Sequence, residues 1–146
     1  MNISGYRHLA LALVTMITGS AGCGAAFNSA SGDDAKRAGA LAFGLNAPSD
    51  DRVSASQGDN TDWKSFELED DATVRVRIWW DDPSVEAHVT LVDERAKGIA
   101  EVIHEDGARY DELSPIGLVS GLYFIEVQAD GGASVYTLEV LTEEPQ

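Results

Sequence analysis

Apolar residues recur at every second position through most of the chain beyond residue 51. In residues 73–80, Val74, Val76, Ile78 and Trp80 share one side, while Arg75 and Arg77 take the other. A period of two with one polar side predicts a half-buried antiparallel strand. Asp81-Asp82-Pro83-Ser84 ends it, because proline has no N–H to give a central ladder. Residues 86–92 alternate again, with Ala87, Val89 and Leu91 on one face. Short strands are predicted at 99–103 and 109–113, and Ser114-Pro115-Ile116-Gly117 breaks the chain. Residues 122–127 place Tyr123, Ile125 and Val127 together, and residues 135–141 place Tyr136, Leu138 and Val140 together. Between these two segments, Asp130-Gly131-Gly132 is a hairpin signal. Many short strands and no strong helical stretch predict an all-β antiparallel sandwich of jelly-roll type.

The region before residue 48 reads differently. Residues 24–46 are rich in Ala, Gly and Ser and read as a tether. Asp33-Asp34 ahead of Ala35-Lys36-Arg37-Ala38 is a weak helix start, whereas Leu41, Phe43 and Leu45 alternate as an edge strand would. Both readings stand on the sequence alone. Pro48-Ser49-Asp50-Asp51 marks a boundary. The organisation expected is a leader over 1–22, a tether over 23–47 and a β-sandwich domain over 48–146.

The leader expectation rests on residues 1–23. Arg7 precedes an apolar run over 9–17, and Gly19-Ser20-Ala21-Gly22 leads to Cys23, the only cysteine. A charged start, an apolar core and a small-residue exit describe a signal peptide. The apolar block is too short for a spanning helix, which needs about 20 apolar residues. Ser20-Ala21-Gly22-Cys23 resembles the lipobox of bacterial lipoproteins, with Ser20 where Leu is usual. That resemblance implies cleavage before Cys23 and lipidation of its thiol. Gly24 rather than Asp follows the cysteine, which by analogy with enteric sorting implies the outer membrane. The plain alternative is a secreted chain with one unpartnered thiol.

Charge narrows the partners. The formal net charge is −15, and loss of Arg7 with the leader makes it more negative. Such a surface repels nucleic-acid phosphates and anionic headgroups, and favours cations or basic proteins. With one cysteine, no disulfide can form within the chain.

Four segments, in order, resemble bacterial pre-peptidase C-terminal domains. They are Asp59-Asn60-Thr61-Asp62-Trp63-Lys64-Ser65-Phe66; Leu91-Val92-Asp93 followed by Gly98; Gly121-Leu122-Tyr123-Phe124-Ile125-Glu126-Val127; and Tyr136-Thr137-Leu138-Glu139-Val140. The resemblance covers roughly residues 50–141. It implies a jelly-roll-like sandwich and a non-catalytic accessory role in targeting or substrate binding. Some relatives bind calcium, and some bind collagen or polysaccharide. The organisation expected here, a domain standing alone behind a lipid anchor, departs from that pattern.

Catalytic signals are sparse. There is no His-x-x-x-His pair, no cysteine pair for zinc, no Gly-x-Ser-x-Gly elbow and no phosphate loop. Two other groups of residues offer binding chemistry. Asp50, Asp51, Asp59, Asn60 and Asp62 flank one expected strand and could supply the oxygens calcium needs. The plainer reading is that they are turn formers. Trp63, Trp80, Tyr123 and Tyr136 fall on apolar sides and are expected in the core. Trp79 and Phe124 fall opposite those neighbours and form a candidate binding patch for a sugar or protein partner. The alternative for that pair is a curved edge covered by residues 40–46. The function expected is a membrane-anchored, non-catalytic binding or adhesion module, taking polysaccharide, protein or calcium and no nucleic acid. The alternative is a structural subunit of an envelope assembly that meets a basic protein.

Overall fold

The computed structural model describes residues 32–143. Cys23 and the leader lie outside the described residues. Among the described residues, nine strands form two sheets: β1 (Leu41–Ala42), β2 (Ser49–Ser54), β3 (Thr61–Leu68), β4 (Ala72–Trp80), β5 (Glu86–Asp93), β6 (Gly98–Ile103), β7 (Tyr110–Leu118), β8 (Gly121–Gly131) and β9 (Ala133–Glu143). The five-stranded sheet has the order β1-β3-β8-β5-β6, and the four-stranded sheet β2-β9-β4-β7. All pairings are antiparallel except β1 on β3. The alternation fixes which side each strand buries. Val76, Ile78, Leu138 and Val140 from one sheet meet Val89, Leu91, Ile125 and Val127 from the other. The architecture is the antiparallel sandwich the alternation predicts.

Turn chemistry explains the hairpins. Asp93 Oδ1 accepts the N–H groups of Arg95 and Lys97 at 2.9 and 2.8 Å, closing the β5–β6 turn. This local bonding holds Ala96 at φ 65°, where a residue with a Cβ is uncommon. Gly132 takes φ 73° in the β8–β9 hairpin at the expected Asp130-Gly131-Gly132. Tyr123 donates its hydroxyl to the Val119 carbonyl at 2.8 Å and so ties the start of β8 to the loop before it.

Three expectations need correction. The strand break at Ser114-Pro115-Ile116-Gly117 does not occur. β7 runs through it, because it is an edge strand and the register shifts there, between Val74 and Val76 of β4. An edge or a bulge is where proline fits a sheet. Next, the tether is packed over its described part. It forms two 3-10 turns, Asp33–Ala35 and Arg37–Gly39, then β1; Asp34 is buried, and Phe43 and Leu45 lie against the core. Elements of both open readings are present, since a short helical turn precedes a short edge strand. Finally, Asp50 and Asp51 lie within β2, not on a loop.

Candidate functional site

β3 reads Thr-Asp-Trp-Lys-Ser-Phe-Glu-Leu, and its inward side is Asp62, Lys64, Phe66 and Leu68. Trp63 therefore stands half-buried on the outer face, not in the core as expected. The reason is charge compensation across the sheets. Lys64 Nζ donates to Asp34 Oδ2 at 3.0 Å and to Asp51 Oδ2. Asp34 comes from the N-terminal strap and Asp51 from β2 of the opposite sheet. A buried ammonium is tolerable only when paired in this way. Burial pulls the Lys64 ammonium down, but Asp51 and Asp34 outweigh it and its pKa is raised.

Asp62 lies alongside. Its Oδ2 accepts the Tyr136 hydroxyl at 2.7 Å. Burial pushes the Asp62 carboxyl up to about 7, against the opposing pulls of Tyr136 and Lys64. Asp34, Asp51 and Asp62 bring carboxylate oxygens within 4.8 Å of one another. Of the five residues singled out for calcium, the structure gathers only Asp51 and Asp62. Asp34, missed in the sequence, is the third member. Asp50 is exposed and accepts the Thr137 hydroxyl at 2.6 Å, Asn60 is exposed, and Asp59 is buried beside Ser54 in the turn before β3. The expected five-residue cup does not form. A cation already occupies the converged carboxylates, and it is the ammonium of Lys64.

A second buried polar group closes the other side of the sandwich. His104 follows β6, and its Nδ1 lies 2.6 Å from Asp111 Oδ2 on β7. Trp80 Nε1–H donates to the same oxygen at 2.7 Å. His104 Nε2 faces the Pro83 carbonyl at 3.1 Å. A depression of about 390 Å³ beside it is lined by Ser84, Glu86, Ile103, His104, Asp106 and Asp130. Serine, histidine and carboxylates thus share one depression, but not as a triad. Ser84 Oγ donates to Asp82 Oδ1 at 2.7 Å, and both His104 ring nitrogens already face oxygens of other residues. No ring nitrogen is left to take a proton from the serine.

The outer faces hold the remaining candidates. Trp79 and Phe124 do not form one patch. Trp79 is on β4 and Phe124 on β8, so they point away from opposite sheets. Phe124 is covered by the Arg37 guanidinium, 5.0 Å from its ring centre. Trp79 instead pairs across the strands with Tyr110, with ring centres 5.3 Å apart and planes inclined at 46°. The two residues are 37% and 41% exposed.

Beside this pair, Glu112 is the hub of a charge-compensated network. Arg75 Nη1 donates to Glu112 Oε1 at 2.7 Å, and Arg77 Nε donates to Oε2 at 3.0 Å. The Tyr110 hydroxyl donates to the same Oε2. Tyr110 and the two arginines hold the Glu112 carboxyl below its ordinary range. The arrangement fixes Tyr110 relative to Trp79 and offers aromatic faces next to paired hydrogen-bonding groups. Tyr110 escaped the sequence reading because its partner is set by strand pairing, not by chain proximity.

Comparison with known proteins agrees on fold. No protein-family model and no curated protein matches the chain. Among solved structures it is similar to the pre-peptidase C-terminal domain of a collagenase from Bacillus anthracis. The identity is 20%, the TM-score 0.59, and the match covers 69% of this chain and 93% of that one. More distant are the lectin domain of lectinolysin solved with Lewis B antigen (12% identity, TM-score 0.41, covering 68% and 72%). So is the carbohydrate-binding module CBM36 solved with calcium and xylotriose (16% identity, TM-score 0.38, covering 66% and 90%). At 20% identity the likeness to the collagenase domain is one of fold alone.

Proposed function

We propose that the protein is a non-catalytic binding module of the bacterial envelope, lipid-anchored at Cys23, that takes a neutral polysaccharide on the outer face of its four-stranded sheet. The observation that carries this is the exposed Trp79–Tyr110 pair braced by Glu112, Arg75 and Arg77. Pyranose rings present C–H faces that lie on aromatic rings, while their hydroxyls need fixed donors and acceptors alongside. Residues i and i+2 on β4 are about 6.6 Å apart. A sugar over Trp79 therefore leaves its neighbour above Arg77 and Glu112. Neutral glycan is favoured over acidic glycan because both arginines are already paired with a carboxylate and the chain carries −15. The role of such domains as accessory modules supports the reading by fold analogy alone.

The test is affinity electrophoresis of the full chain through gels containing soluble neutral polysaccharides, such as xylan and β-glucan. Retardation lost in Trp79→Ala and Tyr110→Ala, with the melting temperature kept, supports the proposal. Equal mobility with and without every polysaccharide would refute it. Anchoring is tested separately: Cys23→Ala should leave the protein out of the membrane fraction or accumulate as uncleaved precursor. Normal processing with unchanged membrane retention would refute lipidation.

Calcium is the weaker ligand in this proposal. Asp34, Asp51 and Asp62 would supply its oxygens, and Lys64 would have to leave for the ion to enter. Millimolar calcium should therefore raise the melting temperature of Lys64→Met more than that of the natural chain.

A further inference from the structure

The outer face of the five-stranded sheet has a different character. Strand register places Trp63 opposite Glu126, Glu126 opposite Thr90, and Thr90 opposite Glu101. These four residues form a row across β3, β8, β5 and β6, about 14 Å long at the usual strand spacing. The adjacent row runs through Gln128, His88 and Ile103. There Asp130 accepts Gln128 Nε2–H at 3.0 Å and lies 3.1 Å from His88 Nδ1. Glu126 and Glu101 have no such partners: neither forms a hydrogen bond or ion pair among the described residues. Burial lifts the Glu126 carboxyl, and the nearby Glu101 lifts it further against the pull of His88.

The chain itself shows what this face accepts. Phe124 is the diagonal neighbour of Trp63 across the β3–β8 pairing. The Arg37 guanidinium lies on the Phe124 ring, and its Nη1 donates to the Glu94 carbonyl at 2.6 Å. A planar cation thus rests on one aromatic of the face and reaches a backbone oxygen at its edge. The next aromatic, Trp63, has the carboxylate of Glu126 on the adjacent strand and that of Glu101 three strands away. The protein's other cations near this face, Arg95 and Lys97, lie in the β5–β6 turn, off the row.

We propose that an arginine-rich segment of a protein partner docks across this face, with one guanidinium stacked on Trp63 and paired with Glu126 and a second basic side chain paired with Glu101 further along the row. Tryptophan is the strongest aromatic partner for a cation, and arginine combines stacking with bidentate pairing to a carboxylate. Two carboxylates without a hydrogen bond or ion pair among the described residues, in a chain of charge −15, supply the complementary field. The strap bearing Arg37 bounds the site on one side and the His88–Asp130 pair bounds it on the other. This site is separate from the polysaccharide face and does not depend on it.

The experiment is calorimetric titration of the full chain, in neutral detergent micelles, with hexa-arginine, hexalysine and hexaglutamate peptides. Hexa-arginine should bind several-fold more tightly than hexalysine, and hexaglutamate should not bind. Glu126→Gln should weaken hexa-arginine about tenfold, and Trp63→Leu should remove its preference over hexalysine. Glu139→Gln on the opposite face and Asp70→Asn in the β3–β4 turn remove the same charge and should change binding less than twofold. Circular dichroism confirms that each variant is folded. Equal losses in Glu126→Gln, Glu139→Gln and Asp70→Asn would mean general attraction to an acidic surface and would overturn the proposal. An undiminished arginine preference in Trp63→Leu would also overturn it.

Discussion

The two outer faces of this sandwich carry the same kind of aromatic and opposite electrostatics. On the four-stranded sheet, Trp79 and Tyr110 stand beside Arg75 and Arg77, and both arginines are tied to Glu112. On the five-stranded sheet, Trp63 stands beside Glu126, with Glu101 in the same row and no cation paired to either. On the first face each arginine is paired, both to Glu112 and Arg75 also to Glu143, and the face suits an uncharged ligand with hydroxyls. The second has charge left over and suits a cation. Exposed aromatics therefore do not define a ligand class by themselves; the state of the neighbouring ionic groups does.

The comparison can be broken most severely from inside. The strap that bounds the five-stranded face is held by Lys64 through Asp34. Lys64→Met leaves three buried aspartates without their cation. Removing one partner of a buried ion pair costs about 3–5 kcal/mol, against a typical total of about 5–15 kcal/mol. The melting temperature should fall steeply, and limited proteolysis should cut within residues 36–46. An unchanged melt would mean the strap is not latched by this group.

Asp62 gives the next largest effect and separates interior titration from ligand chemistry. Its folded pKa of about 7 exceeds the ordinary value of 3.8. Between those values the folded chain holds a proton that the unfolded chain has lost. Stability therefore declines as pH rises through this window, by at most about 1.36 kcal/mol per pH unit from this group. Asp62→Asn removes that decline, and its side-chain oxygen can still accept the Tyr136 hydroxyl. The variant should be more stable than the natural chain at pH 8, by on the order of 1–3 kcal/mol, and equal to it near pH 4. A constant difference at all pH values would place the titration elsewhere.

How much of this was legible is clearest on β3. Alternation gave β4, β5, β8 and β9 directly, because their inward sides are aliphatic. On β3 the inward side is Asp62 and Lys64, so a hydrophobic reading turns the strand over and buries Trp63. The signal was present further along: Phe66 and Leu68 share parity with Lys64, and they fix the strand's orientation. The partners that make Lys64 tolerable come from residues 34 and 51, and that convergence is a property of topology. His104 was hidden for the same reason, since Asp111 and Trp80 reach it only through the β4–β7 pairing. The Trp79–Phe124 patch failed because alternation tells inside from outside but not which of two sheets a strand joins.

A smaller effect sharpens the comparison by exchanging the character of one face. Glu112→Gln leaves Arg75 and Arg77 without their shared carboxylate. The four-stranded face should then gain affinity for a polyanion such as dextran sulfate, by about tenfold at low salt. Its affinity for neutral polysaccharide should fall, because Tyr110 loses the charged acceptor that fixes it. Affinity electrophoresis at two salt concentrations checks both. If dextran sulfate binding does not change, the arginines are not the groups that decide selectivity.

The smallest effect concerns the stacked cation already present. Arg37→Ala uncovers Phe124 beside Trp63, and hexa-arginine affinity should rise two- to threefold with little change in melting temperature. A fall in affinity would mean that Arg37 helps to build the site and does not compete with the ligand.

Selection of different ligands by the two faces can be read in a single titration series. An isotope-labelled full chain in detergent micelles is titrated with xylohexaose and then with hexa-arginine, and amide chemical shifts are followed by NMR. Xylohexaose should move resonances of β4 and β7 around Trp79 and Tyr110. Hexa-arginine should move those of β3, β8 and β6 around Trp63, Glu126 and Glu101, and neither ligand should displace the other. Both ligands perturbing the same face, or competing for it, would show that the two faces do not select different ligands.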